Sequence, residues 1–90
     1  MPRTARSEIL AKQVGEAVRS ARRQASLTQA QVAERLGVSP PYVANVEAGR
    51  ENITLGQLAN IAAALGAGLD VSFPLPDRER VTVPDARASR

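Results

Sequence analysis

The chain has 90 residues, twelve Lys and Arg against nine Asp and Glu, and neither cysteine nor histidine. That length supports one small domain with a modest core, and the missing residue types exclude disulfides, thiol and imidazole catalysis and the usual zinc sites, leaving an enzyme only carboxylate, lysine or hydroxyl chemistry. Lys12 with Glu8 and Glu16 has the spacing of ordinary surface pairing on a helix, so no enzymatic role and no cofactor are expected. The net charge of +3 gathers at the front, where residues 1–28 hold Arg3, Arg6, Lys12, Arg19, Arg22 and Arg23 against Glu8 and Glu16; this fits either an anionic partner or a solvated basic helix face.

The opening MPRTARSEIL lacks an apolar run of signal-peptide length, and no stretch approaches a membrane span, so a cytoplasmic protein with no membrane partner is expected. From Ser7 to about Ala25, Leu10, Val14, Ala17, Val18 and Ala21 recur at helical spacing. They predict a first amphipathic helix. Thr28 with Gln31 spells a capping box and Leu27 with Val32 a hydrophobic staple, so a second helix starts at Gln29. Gly37 stops it, since glycine takes the left-handed conformation freely.

Ser39 then caps a third helix whose first two positions are Pro40 and Pro41. The amides there have no intrahelical carbonyl to bond and the fixed φ of proline is already helical, so the prolines start this helix rather than break it. Gly49 ends it after Ala48. Val32, Leu36, Val38, Val43 and Val46 are expected to face inward. Thr54 with Gln57, and Ile53 with Leu58, repeat the start signals for a fourth helix, with Leu55, Leu58, Ile61, Ala62 and Leu65 on one apolar face and Gly66 as its stop. The period then changes. Leu69, Val71, Phe73 and Leu75 alternate with Asp70, Ser72 and Pro74, which predicts a strand confined by Pro74 to an edge or a bulge. Residues 80–83 (RVTV) are a candidate return strand.

Helices at 29–36 and 40–48, joined by a short turn containing Gly37, have the lengths and punctuation of a helix-turn-helix. Ala33 is small where the two helices cross. With Arg22, Leu27-Thr28-Gln29, Leu36-Gly37-Val38-Ser39 and Glu47-x-Gly49-Arg50 in register, residues 14–66 resemble the lambda-repressor-like, Cro/repressor (Xre) family of DNA-binding domains. The resemblance implies a mainly α fold: a four-helix DNA-binding domain over residues 7–66, a basic arm or disordered start at 1–6 with Arg3 and Arg6, a β-strand extension at 67–83 and a disordered tail at 84–90. It implies double-stranded DNA as partner and a nucleoid-associated location. In arrangement, though not in specific residues, the extension resembles the strand that follows the helices in antitoxins of the HipB kind.

The same resemblance assigns roles. Gln29 is placed on a DNA phosphate, with a good helix starter as its plain alternative. Arg50 grips the backbone or is a solvated loop charge; Tyr42 bonds a phosphate or is a packing aromatic with a wet hydroxyl. Arg22 and Glu47 are expected to form a structural ion pair that holds the third, recognition helix at its angle. Base reading departs from the family, which often has glutamine or arginine where this chain has Pro40 and Pro41. Readout therefore moves to Ala44 and Asn45, with the prolines offering apolar contacts to thymine.

One recognition helix reads few base pairs, so two copies on a palindromic site are expected, with half-sites about 34 Å apart. Leu69, Val71, Phe73 and Leu75 are the expected homodimer interface, pairing across a two-fold axis, unless the strand folds back on 80–83 instead. The function expected is a homodimeric transcriptional regulator, a repressor. Its alternatives are a DNA-binding antitoxin with a toxin partner and a protein-interaction module that does not bind DNA.

Overall fold

In the computed structural model, residues 4–74 and 79–83 are described, and they run α1 (Ala5–Gln24), α2 (Gln29–Leu36), α3 (Pro40–Glu47), α4 (Leu55–Ala64), β1 (Leu69–Phe73) and β2 (Glu79–Val83). The arrangement is mainly helical, with one antiparallel strand pair. Arg3, Leu75 and the tail at 84–90 lie outside the described residues.

Local chemistry sets each helix start. Thr28 Oγ1 accepts from the Gln31 N–H at 3.1 Å while Gln31 Oε1 accepts from the Thr28 N–H at 2.8 Å, and Thr54 and Gln57 repeat the box at 3.0 Å in both directions. These bonds satisfy amides that a helix start leaves without partners. Ser39 caps α3 through the Tyr42 N–H at 3.3 Å. A further box, missed in the sequence because serine replaces the usual Glu or Gln, joins Thr4 and Ser7. It starts α1 at Ala5, so Arg6 belongs to the first helical turn and not to an arm. At the other end, Ser26 takes a left-handed φ of 59° without being glycine.

The core has two parts. Val18, Val46 and Ile61 form one, with Val14, Tyr42, Ile53 and Leu58 against it; Val32, Ala33 and Val43 form the other, and Leu36 and Leu65 pack on both. Three residues expected to face inward do not: Val38 is 37% exposed, Leu10 59% and Leu55 71%. Helical spacing reports which residues share a face, not whether anything covers that face. Leu10 and Leu55 border an open, mainly apolar groove of about 460 Å³ between α1, α4 and β1, whose floor includes Val14, Leu58, Leu69 and Val71.

The return strand does form. β2 pairs with β1 from Leu69 opposite Val83 to Phe73 opposite Glu79, so one edge of β1 is satisfied within the chain, by the fold-back on 80–83 that the sequence left open. Among the described residues no strand occupies the other edge.

A close backbone approach lies between α1 and α3. Gly15 is buried in mid-helix, and a Cβ added there would sit 2.5 Å from the carbonyl oxygens of Val46 and Glu47. In an open helix alanine is favoured over glycine by about 0.5–1 kcal/mol; here the clash reverses the sign. Thermal denaturation should therefore show Gly15→Ala lowering the melting temperature, whereas Gly56→Ala in α4, where the nearest atom is Thr54 Oγ1 at 3.8 Å, should leave it level or raise it slightly.

Candidate nucleic-acid interface

α3 is two-faced. Val43, Val46 and Glu47 are buried on one side, while Pro40, Pro41 and Ala48 are exposed and Ala44 and Asn45 half-buried on the other. Positions 41, 44, 45 and 48 follow helical spacing and form one outer surface. That surface is apolar except for Asn45.

A buried ionic cluster holds the inner side. Arg22 Nε donates to Glu47 Oε2 at 2.6 Å and its Nη2 to Glu47 Oε1 at 3.1 Å, while Nη1 reaches the Leu27 carbonyl at 2.8 Å. Exposure of the two side chains is 11% and 4%. One guanidinium thus ties the end of α1, the residue before the α2 cap and the end of α3 together. Burial alone would push the Glu47 carboxyl up, but hydrogen bonds from Arg22 and Gln29 and the nearby charges of Arg22 and Arg19 hold it below the ordinary glutamate value. The same bond to Glu47 raises Arg22 against the opposing effect of burial.

Gln29 differs from the sequence expectation. Its Nε2 donates inward to Glu47 Oε1 at 3.0 Å, so the side chain has a target inside the fold. Of the first-turn amides of α2, that of Gln31 is taken by Thr28 Oγ1; those of Gln29 and Ala30 stand at the positive end of the helix, a position that suits a phosphate. α3 offers less of this, because Pro40 and Pro41 remove its first two N–H donors.

The remaining positions sort by geometry. Tyr42 packs against the cluster of Val18, Val46 and Ile61 and borders a hollow shared with Arg35, Val38 and Asn60; burial, then the nearby Glu51 charge, push its phenol up. It faces the α4 side, apart from the outer surface of α3. Arg50 is exposed, with Nη1 3.5 Å from Asn45 Oδ1, a long contact. Lys12, one of the basic residues gathered at the front of the chain, borders a polar hollow of about 440 Å³ with Glu8, Ala48, Gly49 and Arg50 at the end of α3. No sequence signal joins Lys12 to Arg50, since only the α1–α3 crossing brings them together. Leu69 and Val71 line the apolar groove, and Phe73, on the same side of β1, is 55% exposed.

Comparison with known proteins agrees with this geometry. The model of a helix-turn-helix domain family matches residues 13–72. An immunity repressor protein of Bacillus phage phi105 is 40% identical over 53 residues, 59% of this chain and 37% of that protein, so the chain spans a little over a third of that relative's length. Among solved structures, the clp gene regulator ClgR of Corynebacterium glutamicum superposes with a TM-score of 0.63 at 38% identity, over 64% of this chain and 74% of that one. The restriction-modification controller protein C.AhdI of Aeromonas hydrophila superposes with a TM-score of 0.63 at 28% identity, over 67% of this chain and 87% of its own.

Because Glu47 is depressed in the folded chain, its ionised form contributes stability that is fully present above the unfolded glutamate value and is lost as pH falls through the lower folded value. Acid titration of thermal stability should show that loss in the native chain and a much shallower one in Glu47→Gln. At neutral pH, Arg22→Ala should cost about 3–5 kcal/mol by leaving a buried carboxylate unpaired, and Gln29→Ala a smaller amount, about 1.5–3 kcal/mol for a hydrogen bond to a charged group.

Proposed function

The chain belongs to the helix-turn-helix domain family, and on that premise we propose that it is a sequence-specific transcriptional regulator, a repressor, that binds a palindromic DNA operator as a homodimer. The observation that carries this reading is the α2–turn–α3 unit: its inner side is locked by Arg22, Gln29 and Glu47, and its outer side presents exposed α3 residues beside the α2 N-terminus. A helix of this kind reads base edges in the major groove while backbone contacts fix its register. Arg50 and the Gln29 and Ala30 amides at the start of α2 take the phosphates, and Pro40, Pro41, Ala44 and Asn45 face the bases.

The dimer half of the proposal rests on the apolar side of the molecule. The groove between α1, α4 and β1 is open, Leu10, Leu55 and Phe73 stand exposed around it, and no strand occupies the outer edge of β1 among the described residues. A second copy covers both the apolar surface and the strand edge across one two-fold axis.

Two measurements test this. Titration of promoter DNA upstream of the protein's own gene should give specific binding that weakens steeply with salt, log K falling with log salt by about 0.9 for each phosphate neutralised; equal affinity for unrelated DNA contradicts a specific regulator. Sedimentation should show a dimer that Leu55→Glu together with Phe73→Glu converts to a monomer with weakened operator binding, since each half-site supplies only part of the energy. An unchanged dimer would move the interface elsewhere, and a different protein held in stoichiometric complex would favour the antitoxin reading.

A further inference from the structure

The outer surface of α3 has an unusual chemistry for a surface that faces bases. Pro40, Pro41 and Ala48 are exposed, Ala44 is half-buried, and Asn45 is the single hydrogen-bonding side chain among them. Several neighbouring polar atoms are turned to partners within the fold: the Ser39 hydroxyl oxygen accepts from the Tyr42 N–H, Gln31 Oε1 accepts from the Thr28 N–H, and Gln29 Nε2 and the Arg22 guanidinium donate to Glu47. Even the two first-turn amides of α3 are absent, because prolines have none.

The major groove offers a protein hydrogen-bond donors and acceptors, and one apolar group, the C5-methyl of a pyrimidine. A surface of rigid pyrrolidine rings and alanine methyls matches only the last. We propose that this chain reads DNA chiefly through pyrimidine C5-methyl groups, which Pro40, Pro41, Ala44 and Ala48 cover, with Asn45 as the one side chain of that surface that hydrogen-bonds a base. The inference rests on the DNA-binding reading above and names the chemical feature that reading leaves open. Asn45 Oδ1 lies 3.5 Å from Arg50 Nη1, a long contact, and its side-chain amide carries both donors and an acceptor for a base edge. Covering a methyl removes apolar surface from water on both partners, and the proline rings lose no side-chain freedom in doing so.

Two natural sources carry the C5-methyl group, thymine and 5-methylcytosine. Sites selected by the full chain from random duplexes are compared by titration in five forms: unmodified, with deoxyuridine for the half-site thymines, with deoxyuridine only in the flanks, with half-site thymine pairs replaced by cytosine pairs, and with them replaced by 5-methylcytosine pairs. Deoxyuridine keeps every hydrogen-bonding group of thymine and lacks only the methyl. The expected result is half-sites rich in thymine, an affinity loss of about fourfold for each half-site methyl removed, and no change from flanking deoxyuridine. Tighter binding of 5-methylcytosine than of cytosine shows that the methyl suffices whichever base carries it; methyl dependence without that recovery assigns the site to thymine. Half-site deoxyuridine bound as tightly as thymine, or selected half-sites without thymine, overturns the methyl reading and leaves DNA binding standing. Failure to select any duplex above random DNA removes the DNA-binding reading itself.

Discussion

The carboxylate of Glu47 is the constraint around which the helices are arranged. It stands in the last residue of α3, where the negative end of the helix dipole disfavours an anion, and its side chain is 4% exposed. A buried charge in such a place persists only with partners. Arg22 supplies two hydrogen bonds and the opposite charge, and Gln29 supplies a third bond. Those partners come from the end of α1 and the start of α2, so meeting the needs of one carboxylate fixes three helices relative to one another. An apolar pair of the same shape could equal its stability; the fork geometry of guanidinium on carboxylate adds direction.

The rest of the interface follows from that fixed angle. With the end of α3 held against α1, the backbone carbonyls of Val46 and Glu47 come so close to residue 15 that only glycine fits. The same crossing brings Lys12 beside Gly49 and Arg50, which places positive charge at the far end of α3. Opposite the buried cluster, α3 turns outward the side that carries Pro41, Ala44, Asn45 and Ala48. The prolines remove the first two N–H donors of α3, and in the proposed reading phosphate contacts therefore fall to the start of α2.

Much of this was legible in the sequence because it is written locally. Thr28 with Gln31, Ser39 with Pro40 and Pro41, and Thr54 with Gln57 act within one turn, and the helices they start begin where those signals stand. What the sequence did not disclose depends on distant partners. Leu55 has the spacing of a core residue and is 71% exposed, at the border of the open groove between α1, α4 and β1. Gln29 was read outward, as its position at a helix start suggests, and the inward bond requires knowing that Glu47 lies beside it. Nothing local marks Gly15, whose reason is the backbone of a helix some thirty residues later. The return strand was only a candidate at 80–83, since a few alternating residues do not identify a partner; pairing with β1 does.

If Glu47 and Arg22 aim the recognition helix, their coupling must appear in DNA affinity and not in folding alone. A double-mutant cycle of Arg22→Gln and Glu47→Gln, with affinity for a selected site measured at a temperature where all four proteins remain folded, tests that directly. The account predicts that the single substitutions each weaken binding and that the cycle returns a coupling of at least about 1 kcal/mol, within the range for contacting residues. Unchanged affinity in the folded single variants, with coupling confined to thermal stability, would contradict it.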